Sequence, residues 1–67
     1  MSIKVILDVA LRSGNDAFVE DPNEEVSRIL HDLASNIYRG GKYIEGDLVD
    51  LNGNRVGSFL FEVSRDE

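Results

Sequence analysis

Apolar residues alternate with other residues in the first segment of the chain. Every odd position between residues 3 and 11 is apolar, and the even positions between them include Lys4, Ile6 and Asp8. A period of two that is rich in β-branched residues is typical of a strand with two different faces. We therefore predict a strand over residues 3–11, ended by the loop-forming residues that begin at Ser13.

A helical period begins after Asp21, which a proline follows. Asp21 is suited to cap free backbone N–H groups, and proline is favoured at the first helical position. Glu24 stands three residues after Asp21, as in a capping box. Apolar residues then recur at helical spacing and form one stripe: Val26, Ile29, Leu30, Leu33, Ala34 and Ile37. Two glycines follow at 40 and 41, so we predict a helix over residues 22–39.

Two strand-like segments flank the dipeptide Asn52-Gly53. Asn-Gly is the strongest short-range hairpin signal, because both residues tolerate a positive φ. We predict a hairpin over residues 43–63 with its turn at 52–53. A two-residue turn pairs Val49 with Val56 and creates one face for the helix to cover, which carries Ile44, Leu48, Phe59 and Phe61. A longer turn with a bulge changes this register.

Together these elements predict a single α+β domain over residues 1–67, in the order β-α-β-β. The three strands form a mainly antiparallel sheet with strand order 1-3-2, and the helix packs on one face. Residues 64–67 are expected to be a frayed tail.

The sheet face away from the helix is more apolar than a solvated face requires. In the predicted register it carries six candidate interface residues: Ile6, Tyr43, Val49, Leu51, Val56 and Leu60. Exposed apolar patches often mark an interface, although scattered surface hydrophobes are also common. We favour an interface, with a homodimer through this open face as one form of it, because a small core gains from a second layer.

The chain has 67 residues, so one small core must stabilise it. Such a core rarely supplies more than about 3–5 kcal/mol, and small domains are often reinforced by disulfides, a metal or a second subunit. Cysteine is absent, which excludes disulfides and thiolate zinc sites and leaves a second subunit as the remaining common route. No segment has the apolar length of a membrane span or a signal peptide, so an intracellular protein is expected.

Thirteen acidic and seven basic residues give a net charge of −6. This balance argues against binding nucleic acid through its phosphates, which requires a basic surface. An acidic surface favours solubility, which is the commoner explanation, or docking on a basic protein. The candidate acidic partner surface surrounds the start of the helix: Glu20, Asp21, Glu24 and Glu25.

No group of residues amounts to an active site, and we predict no catalytic residue, cofactor or metal. Residues 50–54, Asp-Leu-Asn-Gly-Asn, match the start of a calcium loop, but Arg55 and Phe61 occupy the positions that require glycine and glutamate. His31 is the single histidine and lies on the predicted polar face of the helix. It lacks the partner and the pocket that a general base needs.

Three segments stand out as a set: Asn15-Asp16-Ala17-Phe18, Glu25-Val26-Ser27-Arg28-Ile29-Leu30 with Leu33-Ala34, and Leu51-Asn52-Gly53-Asn54-Arg55-Val56-Gly57. On these segments the chain resembles, over residues 3–63, a widespread group of very short bacteriophage and prophage proteins with no established catalytic role. The resemblance implies a phage or prophage origin and a cytoplasmic setting in a bacterial host cell. It carries over no site residues.

These observations predict a non-enzymatic interaction protein that binds a host or phage protein and modulates a host defence or regulatory system. An alternative is a self-associating structural protein that forms a homodimer through the open sheet face. A more remote alternative is small-ligand binding at a dimer interface, because so short a chain with one helix rarely encloses a pocket.

Overall fold

The computed structural model describes residues 2–66 and has the elements in the predicted order. A short 3-10 helix, Asp16–Phe18, stands between the first strand and the helix. The other elements are β1 (Ser2–Leu11), α1 (Pro22–Arg39), β2 (Tyr43–Val49) and β3 (Arg55–Asp66).

The helix has the predicted bounds because its end signals are local. The Asp21 carboxylate accepts a hydrogen bond from Glu24 N at 3.0 Å, which caps the first turn. At the other end, Gly40 N donates to Asn36 O at 2.8 Å and makes the last helical bond. Ile29 and Leu33, four positions apart on the stripe, are buried beneath the helix.

The three strands form one antiparallel sheet in the order β1-β3-β2, as predicted. The central strand, β3, places Phe61 between Leu7 of β1 and Ile44 of β2. Residues directly opposite each other in an antiparallel pair share a face. The odd positions of β1 therefore lie on the helix side of the sheet, and its even positions lie on the open side.

β3 continues through residues that were expected to form a frayed tail. Ser64 pairs with Lys4, and the pairing runs on to Asp66 and Ser2. The first residues of β1 supply backbone partners for residues 64–66, so the prediction of a frayed tail is wrong for them. Glu67 lies outside the described residues.

The hairpin loop is longer than the Asn-Gly dipeptide suggested. Asp50 N donates to Asn54 O at 2.9 Å, and Gly53 N donates to Asp50 O at 3.0 Å. Gly53 has a φ of 84°, a value that favours glycine. These features match the three-residue hairpin loop that ends in a left-handed glycine. The predicted two-residue turn at 52–53 is therefore wrong, and the longer turn with a bulge is correct.

The longer loop changes the pairing next to it. Val49 lies opposite Arg55 and not opposite Val56, because a bulge separates Leu48 from Val49. From Leu48 opposite Gly57 onwards, the register is the predicted one. The extra residue in the bulge, Val56, turns to the helix side of the sheet and is buried.

The core lies between α1 and the hairpin end of the sheet. Five apolar side chains are buried there: Phe18, Ile29, Leu33, Leu48 and Val56. Phe18, from the 3-10 helix, packs with the helix residues at this end. No side chain among residues 2–65 is buried completely, so the core is small even for a chain of this length.

The paired strands β1 and β3 extend past the end of the helix. A Cβ on Gly40 would lie 2.9 Å from Ile44 Cγ2, so α1 ends level with Ile44 and its partner Phe61. β3 runs on from there to Asp66. The molecule measures 48 × 17 × 16 Å and has a radius of gyration of 14.0 Å, whereas a compact domain of this length has about 11 Å.

Candidate functional site

Four exposed apolar side chains lie in a row on the helix side of β1. They are Ile3, Val5, Leu7 and Val9, with exposed fractions of 55%, 59%, 52% and 41%. Alternation along the strand puts all four on one face, and we call this row the β1 strip. On β3 beside it, Phe61 and Val63 share the face and are half-buried. The apolar surface is therefore wider than one strand.

The helix leaves the β1 strip uncovered because it packs over β2 and β3. Arg28 Nη2 donates to Val49 O of β2 at 3.4 Å, which places this side of the helix above the β2 edge. Leu30 is two positions further on, about 200° around the helix. It therefore points away from β2, toward the side of β1, and it is 45% exposed. The β1 strip and this flank of the helix therefore both lie on the side of the molecule away from β2.

The structure distributes the six predicted interface residues over three places. The open face holds four of them: Ile6, Tyr43, Val49 and Leu60. Leu51 is exposed in the hairpin loop. Val56 is buried in the core, so its assignment to an open-face interface is wrong. The bulge that turns Val56 inward is the physical reason.

Carboxylates surround the apolar residues of the open face. Four of them point to this side: Asp8, Glu45, Asp47 and Glu62. Arg55 Nε donates to Asp47 Oδ1 at 2.8 Å between two exposed side chains. The Glu45 carboxylate, as a hydrogen-bond acceptor, raises the pKa of Tyr43. Two copies stacked through this face would bring like charges together, which disfavours self-association there.

The predicted acidic partner surface loses one member in the structure. Three of its residues stay exposed: Glu20, Asp21 and Glu24. Glu25 is buried, and its carboxylate accepts two hydrogen bonds from Arg28 at 3.0 Å and one from Leu51 N at 2.7 Å. The bonds from Arg28 lower the pKa of Glu25, burial opposes them, and the bond from Leu51 adds to the lowering. Glu25 is therefore wrong as a surface residue.

Asp50 is the second buried carboxylate, and it organises the hairpin loop. Its Oδ1 accepts hydrogen bonds from Asn52 N and Asn54 N, both at 2.9 Å, and its Oδ2 accepts one from Asn15 Nδ2 at 2.7 Å. Burial alone raises the pKa of Asp50, but the hydrogen bonds from Asn54, Asn15 and Asn52 together lower it. The ionised carboxylate ties the loop to the segment that precedes α1.

These contacts give structural roles to residues that resemble a metal or catalytic site. The Asp50 carboxylate is turned toward the N–H groups of its own loop, which explains the calcium-like pattern. Among the side chains that the structure describes, residues 2–65, no three of His, Asp or Glu form a group that could hold a metal ion. His31 is exposed on the outer side of α1, beside Ser27 and Ala34.

The β1 strip is the candidate site that the sequence prediction did not single out. The alternation placed these residues on the helix side, and the helix was expected to cover that side. The widths of a helix and of a sheet could have indicated it. A helix about 10 Å across covers roughly two strands spaced about 4.8 Å apart. One strand of a three-stranded sheet therefore stays uncovered, and here it is β1.

In the part of the chain that the structure describes, α1 lacks the uninterrupted apolar length needed to span a bilayer.

Comparison with protein-family models, curated protein sequences and solved structures finds no match for this chain. The phage origin therefore stays a prediction, and the functional argument rests on the surfaces described above.

Proposed function

We propose that the protein is a non-enzymatic interaction protein that binds another protein chain through the β1 strip. The observation that carries the proposal is the row formed by Ile3, Val5, Leu7 and Val9, exposed side by side on a well-paired strand. Contiguous apolar surface of this kind on a soluble chain commonly marks a protein interaction site.

The total surface of the chain supports a missing partner. Its accessible surface is 5105 Å², whereas a compact monomer of 7.5 kDa exposes about 4200 Å². The difference, roughly 900 Å², is close to the area of about 800 Å² that one partner buries in a standard interface. Contact on the β1 side would lower the accessible surface of the chain to about the value expected of a compact monomer.

We place this binding in a phage or prophage setting in the bacterial cytoplasm, on the basis of the resemblance of three segments. The partner is then a host or phage protein, and modulation of a host defence or regulatory system is the expected outcome. The apolar face of β1, with the exposed flank of α1 on the same side of the molecule, suits a partner that presents an amphipathic helix. The net charge of −6 disfavours acidic partners.

Capture from bacterial lysate, followed by mass spectrometry, tests the proposal with the wild type and two variants. Leu7→Asp introduces a charge into the β1 strip. Leu51→Asp introduces the same charge at a loop side chain that is 73% exposed, and it serves as the matched control. We expect a partner that the wild type and Leu51→Asp retain and that Leu7→Asp loses. Equal capture by all three folded proteins, or capture by none of them, contradicts the proposal.

A further inference from the structure

We infer that a second copy of this chain pairs antiparallel with the outer edge of β1, so that two sheets join into one six-stranded sheet across a two-fold axis. This inference rests on the proposed function, since it takes the β1 strip to be an interaction surface. Pairing would set two β1 strips side by side. It goes further by naming the occupant of the strand edge and the register of the pairing.

The outer edge of β1 is long and open. β1 is an edge strand that bonds only to β3 within residues 2–66, and its ten residues pair there without a bulge or a proline. β2, at the opposite edge, has only seven residues, and Arg28 reaches its Val49 carbonyl. Natural sheets normally protect long edges, since an unprotected edge is a template for pairing with another chain.

The two faces of β1 restrict the register. The two β1 strips share one face only when odd positions of one strand meet odd positions of the other. Pairing Ile6 with Ile6 of the second copy meets this condition and joins residues 2–10 of both strands. It also places Val5 opposite Leu7, and Ile3 opposite Val9, on the helix side.

Charge selects the same register. Lys4 then lies opposite Asp8 of the second copy, and the two-fold axis repeats this pair, so two cross-strand ion pairs form on the open face. A shift by two residues in either direction keeps the faces matched but removes both pairs. Within the described residues neither Lys4 nor Asp8 is engaged in an ion pair, so both are available for the second copy.

Pairing places the two β1 strips at the centre of the six-stranded sheet. Each α1 lies over its own β2 and β3 and turns the flank that carries Leu30 toward this centre. The apolar surface proposed for partner binding is therefore doubled in the dimer. The carboxylates of the open face stay in solvent, apart from the paired Asp8.

Charge exchange at positions 4 and 8 tests this pairing by sedimentation equilibrium. Lys4→Glu and Asp8→Lys each replace two attractive pairs by two repulsive ones, and the double variant restores attraction. We expect each single variant to weaken dimerisation about tenfold or more, and the double variant to return to within about threefold of the wild type. Glu20→Lys makes the same charge change as Asp8→Lys, but at an exposed residue outside β1, and should leave the dimer unchanged.

The outcomes separate this inference from the proposed function. A wild-type chain that stays monomeric up to about 1 mM overturns the inference, while partner capture that depends on Leu7 still supports the function. A dimer that neither charge variant weakens also overturns the pairing. A dimer with the expected charge response but no captured partner supports the inference and contradicts the proposed function.

Discussion

Glu25 and Asp50 are buried acidic residues whose hydrogen bonds hold the hairpin loop against the start of the helix. Glu25 accepts from Leu51 N in the loop, and Asp50 accepts from Asn15 ahead of the helix. In the sequence, Glu25 is one of several carboxylates near a helix start, and Asp50 is an ordinary turn residue. Their partners lie far away along the chain, so local pattern could not identify these roles.

These two carboxylates predict a loss of stability in acid. The pKa of each is lower in the folded chain than its ordinary value, which is about 4 for both residue types. The unfolded chain therefore binds more protons in acid. The stabilisation is complete above about pH 5 and is lost as the pH falls through the folded pKa values. We expect the thermal midpoint to fall below pH 5.

Variants assign this acid dependence to the two residues. Glu25→Gln combined with Asp50→Asn should flatten the change of thermal midpoint between about pH 5 and pH 3. Glu20→Gln combined with Glu24→Gln removes two exposed carboxylates and should leave the slope close to that of the wild type. Identical slopes for the two double variants would contradict the assigned roles.

Gly57 is required because β1 approaches β3 closely at the bulge. A Cβ at this position would overlap the carbonyl oxygen of Ala10 and lie 2.9 Å from Leu11 Cα. We expect Gly57→Ala to lower the free energy of unfolding by about 1–3 kcal/mol, because backbone atoms must move. Gly14→Ala, with no atom within 4 Å of its Cβ, should change it by less than about 0.5 kcal/mol. Equal losses in urea unfolding would disprove the close approach.

At the scale of elements, the helix bounds and the strand order were predictable, whereas the sequence offered the bulge only as an alternative to a two-residue turn. The helix depends on signals within a few residues of its ends, such as Asp21 and Gly40. The bulge depends on the loop that Asp50 closes and on burial of Val56 against the helix. The last residues of β3 depend on pairing with the start of β1. The burial of Val56 and the pairing of β3 with the start of β1 are contacts between distant segments, which a local sequence pattern does not reveal.

The cap of α1 gives a prediction at this scale. Asp21→Ala removes the acceptor for Glu24 N, and we expect the free energy of unfolding to fall by about 1 kcal/mol. Glu20→Ala changes the preceding exposed carboxylate and keeps the cap, so it should have a clearly smaller effect. Urea unfolding followed by circular dichroism compares the two variants. Equal effects would show that the lost charge, and not the cap, matters.

At the scale of the whole molecule, one helix covers two of three strands and leaves the third with an apolar face and an open edge. The sequence predicted a core that gains from a second layer, which stays a prediction, and it assigned the interface to the other side of the sheet. That assignment did not take into account the inward turn of Val56 or the carboxylates around Leu60. The helix-side surface of β1 is the better candidate because its exposed residues are apolar throughout.

Amide hydrogen exchange along β1, measured by NMR at several protein concentrations, tests the central claim most directly. In an edge strand, alternate N–H groups point away from the neighbouring strand. We predict that the β1 amides pointing away from β3 are protected at high protein concentration and lose protection on dilution, whereas the amides bonded to β3 stay protected. Outward-pointing amides that exchange as fast as those of an unstructured peptide at every concentration would contradict pairing through β1.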